Sequence, residues 1–134
     1  MGDVIGHGVD IIELQEFERQ LAVPGDHLLL RCFTDDEIAY AGNGPHRVQR
    51  LAARFAAKEA VLKSLGTGWV SGISWKDIEV KRELAGAPVI CVTGKVAALA
   101  QDRGIGQFLI SLSHSRSFAI ASVMAIRQTI SSST

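Results

Sequence analysis

The middle of the chain carries the run Arg54-Phe55-Ala56-Ala57-Lys58-Glu59-Ala60-Val61-Leu62-Lys63, in which an acidic residue interrupts an apolar pattern. Apolar residues recur through and around this run at the three- and four-residue steps of one helical face: Val48, Leu51, Ala52, Phe55, Leu62 and Leu65. The spacing predicts a long helix over 45–65 that ends at a glycine, Gly66. Glu59 falls on the apolar face, where a leucine is expected.

The position of Glu59 has two interpretations. An ionised carboxylate removed from water costs several kcal/mol unless a positive group meets it, which favours a chemical role. The alternative is an ordinary exposed ion pair with Lys63, four residues on, which adds only about 0.2–0.5 kcal/mol to a helix. The run alone leaves both interpretations open.

The composition indicates one globular domain over residues 1–134, with a tail from residue 128 that is expected to fray. The formal net charge is zero, which predicts no attraction to nucleic acid or to a membrane surface. The N-terminus lacks a basic and then apolar segment, and the longest apolar run, over 119–126, is too short to span a bilayer. We therefore expect a cytoplasmic protein in which Cys32 and Cys91 remain thiols.

Helices precede two hairpins in the predicted order of elements. The capping box of Thr34 and Glu37 predicts a short helix, and breaker residues set the bounds of the other segments. We expect a β-rich segment over 4–12 whose strand ends at Asp10, helix 13–21, the long helix, hairpin 78–84 with 88–93, helix 95–103, and hairpin 108–112 with 118–126. This order predicts an α+β fold in which an antiparallel sheet packs on the long helix.

Asp10 is the second acidic residue in an apolar setting, because it ends the first predicted strand and precedes two isoleucines. Alone it is typical of a turn. Together, Asp10 and Glu59 offer two hard carboxylate oxygens without a histidine or cysteine, which is a poor zinc site. The pair predicts a Mg²⁺ site, because Mg²⁺ takes one or two protein carboxylates together with waters and substrate phosphates.

Several groups suited to phosphate surround this pair in the sequence. Arg54, Lys58 and Lys63 project from the long helix, and Gly66, Gly68 and Gly72 would let backbone amides approach a ligand. His114 lies in the turn of the last predicted hairpin. The alternative is that the basic residues solvate an exposed face and that His114 is only a turn residue.

These residues together resemble the holo-acyl-carrier-protein synthases, the short bacterial type of 4′-phosphopantetheinyl transferase. The resemblance rests on four motifs and runs from about residue 4 to residue 127: Gly8-Val9-Asp10, Arg54 to Ala60 with Lys63, Gly66-Thr67-Gly68, and Ser113-His114-Ser115. The split pair of Asp10 and Glu59 is the specific part of this pattern. The glycines and the Ser-His-Ser step are weak when taken alone.

The resemblance implies that the chain moves the phosphopantetheine arm of coenzyme A to a serine of an apo acyl carrier protein and releases adenosine 3′,5′-bisphosphate. By the same resemblance, Asp10 and Glu59 hold Mg²⁺ and Lys63 neutralises charge on the pyrophosphate. The nucleotide is seated by Arg54, Lys58 and the Gly66–Gly68 loop, with His114 near the coenzyme. The base that receives the serine proton is either Glu59 or a metal-bound water.

The resemblance also implies a homotrimer with active sites at subunit interfaces. In relatives, basic residues of the first helix dock an acidic helix of the carrier protein. The first predicted helix departs from this pattern, because it carries Glu13, Glu16 and Glu18 together with Arg19. The other candidates for carrier docking are Arg31, Arg47 and Arg50. A histidine, His7, replaces the apolar residue usual at its position.

Two other functions fit the same residues. A Mg²⁺-dependent phosphodiesterase or nucleotide hydrolase would use the same carboxylates with water as the nucleophile. A non-catalytic oligomeric module would use Glu59 and Lys63 as a buried structural pair.

Overall fold

The computed structural model describes residues 2–25, 27–83 and 86–129. Its elements, in chain order, are β1 (Val4–Glu13), α1 (Leu14–Leu21), α2 (Leu28–Cys32), α3 (Asp35–Ala41), α4 (Arg47–Leu65), a single 3₁₀ turn (Trp75–Asp77), β2 (Ile78–Arg82), β3 (Pro88–Val92), α5 (Gly94–Asp102), β4 (Ile105–His114) and β5 (Phe118–Arg127). The α+β class predicted from the sequence is confirmed.

The long helix α4 is the centre of the molecule. It begins at Arg47, two residues later than predicted, and ends where Gly66 adopts the left-handed conformation (φ 77°). Twelve of its nineteen residues are buried, because β1 and β5 pack on one side and α1 and α3 on others. The helix is therefore enclosed much more fully than a single apolar face predicts.

The main sheet is antiparallel, with strand order β1-β5-β4. β1 pairs with β5 from Val4 opposite Ile126 to Glu13 opposite Phe118, and β4 pairs with the other edge of β5. The strand β1 continues to Glu13, so the prediction that Asp10 ends the strand was wrong. Ladder bonds to β5 carry the chain past Asp10, and such bonds to a distant strand have no local sequence signal.

Glycine lets β1 lie unusually close to α4. A Cβ atom added at Gly8 would lie 2.0 Å from the carbonyl oxygen of Ala60, and one at Gly6 would lie 2.1 Å from that of Ser64. No side chain larger than hydrogen fits at that separation. The two glycines therefore set the distance between the strand that carries Asp10 and the helix that carries Glu59.

The second sheet is the predicted hairpin of β2 and β3, which is confirmed from Ile78 opposite Val92 to Arg82 opposite Pro88. Leu84 and Ala85, which the prediction placed in its strand end and turn, lie outside the described residues. The last hairpin is longer than predicted, because β4 extends from Ile105 to His114. His114 is thus a strand residue paired with Ala119 rather than part of the turn.

Two short elements were not predicted. α2 has only five residues and follows His27, whose backbone is left-handed (φ 55°) and whose side chain provides no cap. The 3₁₀ turn at Trp75–Asp77 is closed by a capping box of Ser74 and Asp77. The capping box of Thr34 and Glu37 at α3 was predicted and is present. Of the predicted tail, Gln128 donates its backbone N–H to the Gly104 carbonyl (2.6 Å), and 130–134 lie outside the described residues.

Candidate active site

β1 and α4 bring Asp10 and Glu59 together. Side chains alternate along a strand, so Asp10 shares the side of β1 that Gly8 presses against α4. Lys63, one helical turn after Glu59, donates from Nζ to Asp10 Oδ1 (3.0 Å) and to the carbonyl oxygen of Val9 (2.9 Å). The Asp10 side chain is 11% exposed and that of Lys63 is 55% exposed, so the cluster sits at the surface of a cleft.

The environment of Glu59 makes its carboxyl unusually hard to ionise. Burial, and then the negative charge and hydrogen bonding of Asp10, raise the pKa of Glu59 to about 7, while Lys63 opposes this shift. Two carboxyl groups that share a half-buried site cannot both ionise without cost. Lys63 supplies one positive charge for two carboxyl groups, so the cluster favours the binding of either a proton or an additional cation.

One oxygen of this cluster has no partner when Glu59 is ionised. Among the described residues, no N–H or hydroxyl group donates to the buried Asp10 Oδ2, whereas Oδ1 accepts from Lys63. A buried charged oxygen left unpaired is costly. The orphaned oxygen, the protonation tendency of Glu59 and the all-oxygen donor set fit a hard divalent cation such as Mg²⁺. No group of three or more histidine, cysteine or acidic ligands occurs among the described residues, so the rest of a cation's ligands here would be waters and substrate oxygens.

Two hollows meet at Glu59 and Trp75. The larger, of about 570 Å³, runs from Asp10 along α1 and α2 and is lined by Ile12, Glu13, Glu16, Phe17, Leu28, Arg31 and Phe55 among others. The smaller, of about 270 Å³, lies on the other side and is lined by Leu62, Lys63, Gly68 and Trp69. The carboxylates therefore stand between a long cleft and a shallow apolar one.

The structure places Lys58 away from this site. Its side chain is fully buried, and Nζ donates to Glu37 Oε1 (2.7 Å) and to the carbonyl oxygens of Ile78 (2.7 Å) and Trp75 (3.1 Å). Burial lowers the pKa of Lys58 and Glu37 opposes this shift. All three donors are used inside the protein, so the prediction that Lys58 contacts the nucleotide does not fit and is withdrawn. The sequence could not show that Lys58 faces the protein interior, because α4 is buried on several sides and not on one apolar face alone.

Arg54 and His114 line a separate cleft of about 380 Å³. Arg54 is 3% exposed; its guanidinium lies 4.0 Å from the centre of the Tyr40 ring, and its buried Nε has no hydrogen-bond partner among the described residues. Arg50 and Arg82 flank the same ring at 5.3 and 5.0 Å. Burial lowers the pKa of Arg54, and Tyr40 opposes this shift. This cleft shares no lining residue with the two hollows at Glu59.

The glycine loop after α4 borders the smaller hollow. Gly66, Gly68 and Gly72 all have positive φ, at 77°, 64° and 93°, so the loop depends on glycine. Gly68 lines the hollow, whereas Gly66 lies near Arg103, whose guanidinium donates to the Leu65 carbonyl. The loop thus lies beside Lys63, which lines the same hollow as Gly68.

Sequence reasoning missed three residues near these sites. Glu37 was recognised only as a cap, yet its Oε2 also accepts from Val80 N (2.9 Å). Tyr40 and Arg82 form the arginine cluster with Arg50 and Arg54. No pattern signalled them, because each contact joins segments distant in the chain. His7 hydrogen-bonds through Nε2 to Ser122 Oγ (3.1 Å), which gives the unusual histidine a partner across the strands.

Comparison with known proteins gives this geometry a family. The model of the 4′-phosphopantetheinyl transferase superfamily matches residues 6–121. The holo-acyl-carrier-protein synthase of Koribacter versatilis is 41% identical over 121 residues, which cover 90% of this chain and 97% of that protein. That of Gloeobacter violaceus is 42% identical over 120 residues, which cover 89% and 90%.

Comparison with solved structures leads to the same family. The crystal structure of the Neisseria meningitidis holo-acyl-carrier-protein synthase superposes with a TM-score of 0.83 at 28% identity, covering 93% of this chain and all of that one. The Bacillus anthracis enzyme, in complex with coenzyme A (3′,5′-ADP), superposes with a TM-score of 0.75 at 33% identity, covering 94% and 98%. The chain belongs to the 4′-phosphopantetheinyl transferase superfamily. Within it, the chain is of the holo-acyl-carrier-protein synthase type, so the family and enzyme class predicted from the sequence are confirmed.

Proposed function

We propose that the chain transfers the 4′-phosphopantetheine arm of coenzyme A to a serine of an apo acyl carrier protein at the Asp10–Glu59 cluster. The serine oxygen forms a bond to the phosphorus that bears the arm, and the bond from that phosphorus to the bridging oxygen breaks. Adenosine 3′,5′-bisphosphate is the leaving group. The observation that carries the proposal is the meeting of Asp10, Glu59 and Lys63, with one buried carboxylate oxygen left unpaired, in a member of this family.

We propose that Asp10 and Glu59 would hold a Mg²⁺ ion. When bound, the ion would neutralise negative charge on the pyrophosphate as the leaving group departs. Lys63 adds a second positive charge, this one from the protein. Its half-exposed side chain lies at the edge of the cluster, where it can meet the pyrophosphate. The serine proton would pass either to Glu59 or to a water held by the ion.

We propose that the working form is a homotrimer with a shared active site. The face of the main sheet turned away from α4 exposes a band of large apolar side chains: Val9, Ile11, Phe118, Ile120 and Met124. Such a contiguous apolar patch is typical of an interface. Arg54 lies five residues before Glu59, which turns it about 140° around the helix. An Arg54–His114 cleft from a second copy would therefore complete the nucleotide site beside Asp10, Glu59 and the Gly66–Gly68 loop.

We propose that the carrier protein approaches along α1 and α2, beside the larger cleft. Arg19 is engaged by Glu16 on the same helix, and Arg31 lines the cleft. Arg47 donates to the Gly42 carbonyl (2.7 Å), and Arg50 lies at the arginine cluster, so both belong to the opposite side of α4.

The reaction is proposed to take place in the cytoplasm, a setting that suits the thiols of Cys32 and Cys91. No helix among the described residues has the length and apolar character needed to cross a bilayer.

The direct test is intact-mass analysis of an apo carrier protein after incubation with coenzyme A, Mg²⁺ and the enzyme. We expect one pantetheine arm per carrier, no addition to a carrier whose acceptor serine is replaced by alanine, and at least a hundredfold loss of rate in Asp10→Asn and Glu59→Gln with the fold retained. Full activity in both variants would overturn the site. Adenosine 3′,5′-bisphosphate released equally fast without a carrier would instead support the hydrolase.

A further inference from the structure

Trp69 is a large aromatic side chain held at the surface beside the carboxylates. It is 53% exposed, although its neighbour Val70 packs against the core. The loop that carries it is shaped by two left-handed glycines, Gly68 and Gly72, and by a turn in which Ile73 N donates to the Val70 carbonyl (3.3 Å). Folding of one chain leaves this ring half-exposed, where another molecule can contact it.

A second indole supports the ring of Trp69 from behind. The centres of the Trp69 and Trp75 rings lie 4.7 Å apart at an angle of 40°, and Trp75 in turn lies 4.9 Å from Phe55. Trp75 is anchored through its carbonyl oxygen, which accepts from the buried Lys58. The exposed indole is therefore the outer member of a packed aromatic row and is preorganised to receive another flat ring.

Charge separates the two hollows that meet at Glu59. The larger cleft is lined by Glu13 and Glu16 in addition to Asp10 and Glu59, with Arg31 beyond them. The hollow at Trp69 contains Lys63, and its wall is otherwise almost wholly apolar apart from Glu59. The nucleotide half of coenzyme A carries several negative charges, whereas the pantetheine arm is neutral. The acidic cleft suits the neutral arm, and the hollow with Lys63 and the indole suits the anionic nucleotide.

We propose that Trp69 stacks against the heterocyclic base of the coenzyme and so determines affinity for the nucleotide half of the substrate. This inference rests on the proposed function. Stacking of a base on an aromatic side chain is worth about 1–3 kcal/mol, which corresponds to roughly 5- to 150-fold in affinity. Trp69 is thus a specificity residue that contacts the substrate away from the bonds that change.

The two tryptophans of the chain make the test direct, because Trp69 and Trp75 are the only indoles present. In a Trp75→Phe protein, all tryptophan fluorescence comes from Trp69. We expect adenosine 3′,5′-bisphosphate, with Mg²⁺ present, to quench this emission, and 4′-phosphopantetheine to leave it unchanged. Quenching by 4′-phosphopantetheine but not by the nucleotide would show that the indole lines the path of the arm, and would overturn the proposal.

Affinity and kinetics in the otherwise unaltered chain complete the test. Trp69→Leu should raise the Kd of adenosine 3′,5′-bisphosphate and the KM for coenzyme A roughly tenfold, with kcat within about threefold and the Kd of 4′-phosphopantetheine unchanged. Trp69→Phe should retain most of the affinity. Leu30→Ala, which removes another exposed apolar side chain that does not line the hollow, should leave nucleotide affinity unchanged.

The outcomes distinguish this inference from the function it rests on. If the unaltered enzyme loads the carrier but Trp69→Leu binds nucleotide and coenzyme A as tightly, the stacking role is overturned and the transferase stands. If the unaltered enzyme loads no carrier, the proposed function itself is overturned. Thermal unfolding of Trp69→Leu should match that of the parent, and a large loss of stability would mark Trp69 as structural and contradict the proposal.

Discussion

At the Asp10–Glu59 pair, a proton and the proposed cation would compete for the same oxygens. The pKa of Glu59 is about 7 in the folded chain against 4.5 as a reference, so the folded state binds more protons than the unfolded state between these pH values. Without a cation, the contribution of Glu59 to the free energy of unfolding therefore falls as pH rises from about 4.5 to 7. Cation affinity must rise over the same interval, by up to tenfold per pH unit.

This competition predicts a pH-dependent stabilisation by Mg²⁺. The increase in Tm that Mg²⁺ produces over EDTA should be larger at pH 8 than at pH 6, because at pH 6 the ion must displace a proton from the pair. The measurement is thermal unfolding at both pH values. In Glu59→Gln the increase should be small and independent of pH, and an equal increase at both pH values in the parent chain would contradict the assignment.

At the same scale, the sequence identified Asp10, Glu59 and Lys63 because each breaks an apolar pattern or accompanies a residue that does. It misassigned Lys58, which is chemically identical to Lys63 but lies on a face enclosed by α3, the 3₁₀ turn and β2. Periodicity tells which residues share a face of a helix. It does not tell which element covers that face, and only the covering element decides whether a lysine meets substrate or Glu37.

At the scale of the elements, the buried pair of Lys58 and Glu37 joins α3, α4 and β2. Removing one partner of such a pair leaves an uncompensated buried charge, which costs about 3–5 kcal/mol. We expect Lys58→Met to lose that much stability in chemical denaturation, while Lys76→Met, at an exposed lysine, changes little. The double variant Lys58→Met, Glu37→Leu should lose less than the sum of the two single losses. Strict additivity would contradict the pairing.

The contact between β1 and α4 gives a second prediction at this scale. Gly8→Ala places a methyl group 2.0 Å from the Ala60 carbonyl, so the strand must move away from the helix. We expect a loss of several kcal/mol in stability and a loss of activity, because Asp10 moves with the strand. Gly44→Ala is the matched control, since no atom lies within 4 Å of the added carbon. An equal effect of the two changes on activity would contradict the role given to this contact.

Elements with strong local signals were predicted well. The 3.6-residue period gave α4, the capping box gave α3, and the alternation around Gly86 gave the hairpin of β2 and β3. α2 was missed because five residues with a left-handed, uncapped start carry no such signal. The extra lengths of β1 and β4 are set by pairing with β5, a long-range contact that no window of sequence contains.

At the scale of the whole molecule, the exposed apolar band of the main sheet predicts self-association. We expect light scattering after size exclusion to give a mass three times the 14.4 kDa of one chain. Ile120→Lys, at the centre of the band, should shift the protein toward the monomer and reduce carrier loading together with it. Leu30→Lys, at an exposed site on α2, should leave the mass unchanged. A fully active monomer would contradict the shared active site.

The overall architecture followed from the sequence only in outline. Helices before hairpins predicted an α+β fold, but the strand order β1-β5-β4 and the separation of a two-stranded sheet required the structure. The same holds for the site. The sequence predicted that Arg54, Glu59 and His114 belong to a single site. The structure places Glu59 in one cleft and Arg54 and His114 in another. Because the two clefts are separate, the proposed enzyme needs a second copy of the chain to complete its site.

The proposed cation site is tested most directly by measuring the binding of Mn²⁺ with electron paramagnetic resonance at pH 8. Mn²⁺ prefers the same oxygen ligands as Mg²⁺ and can replace it. We predict one bound ion per chain in the parent protein. In Asp10→Asn and in Glu59→Gln, both folded, the affinity should fall at least tenfold. One ion bound with unchanged affinity in either variant would contradict the claim that these two carboxylates share a divalent cation.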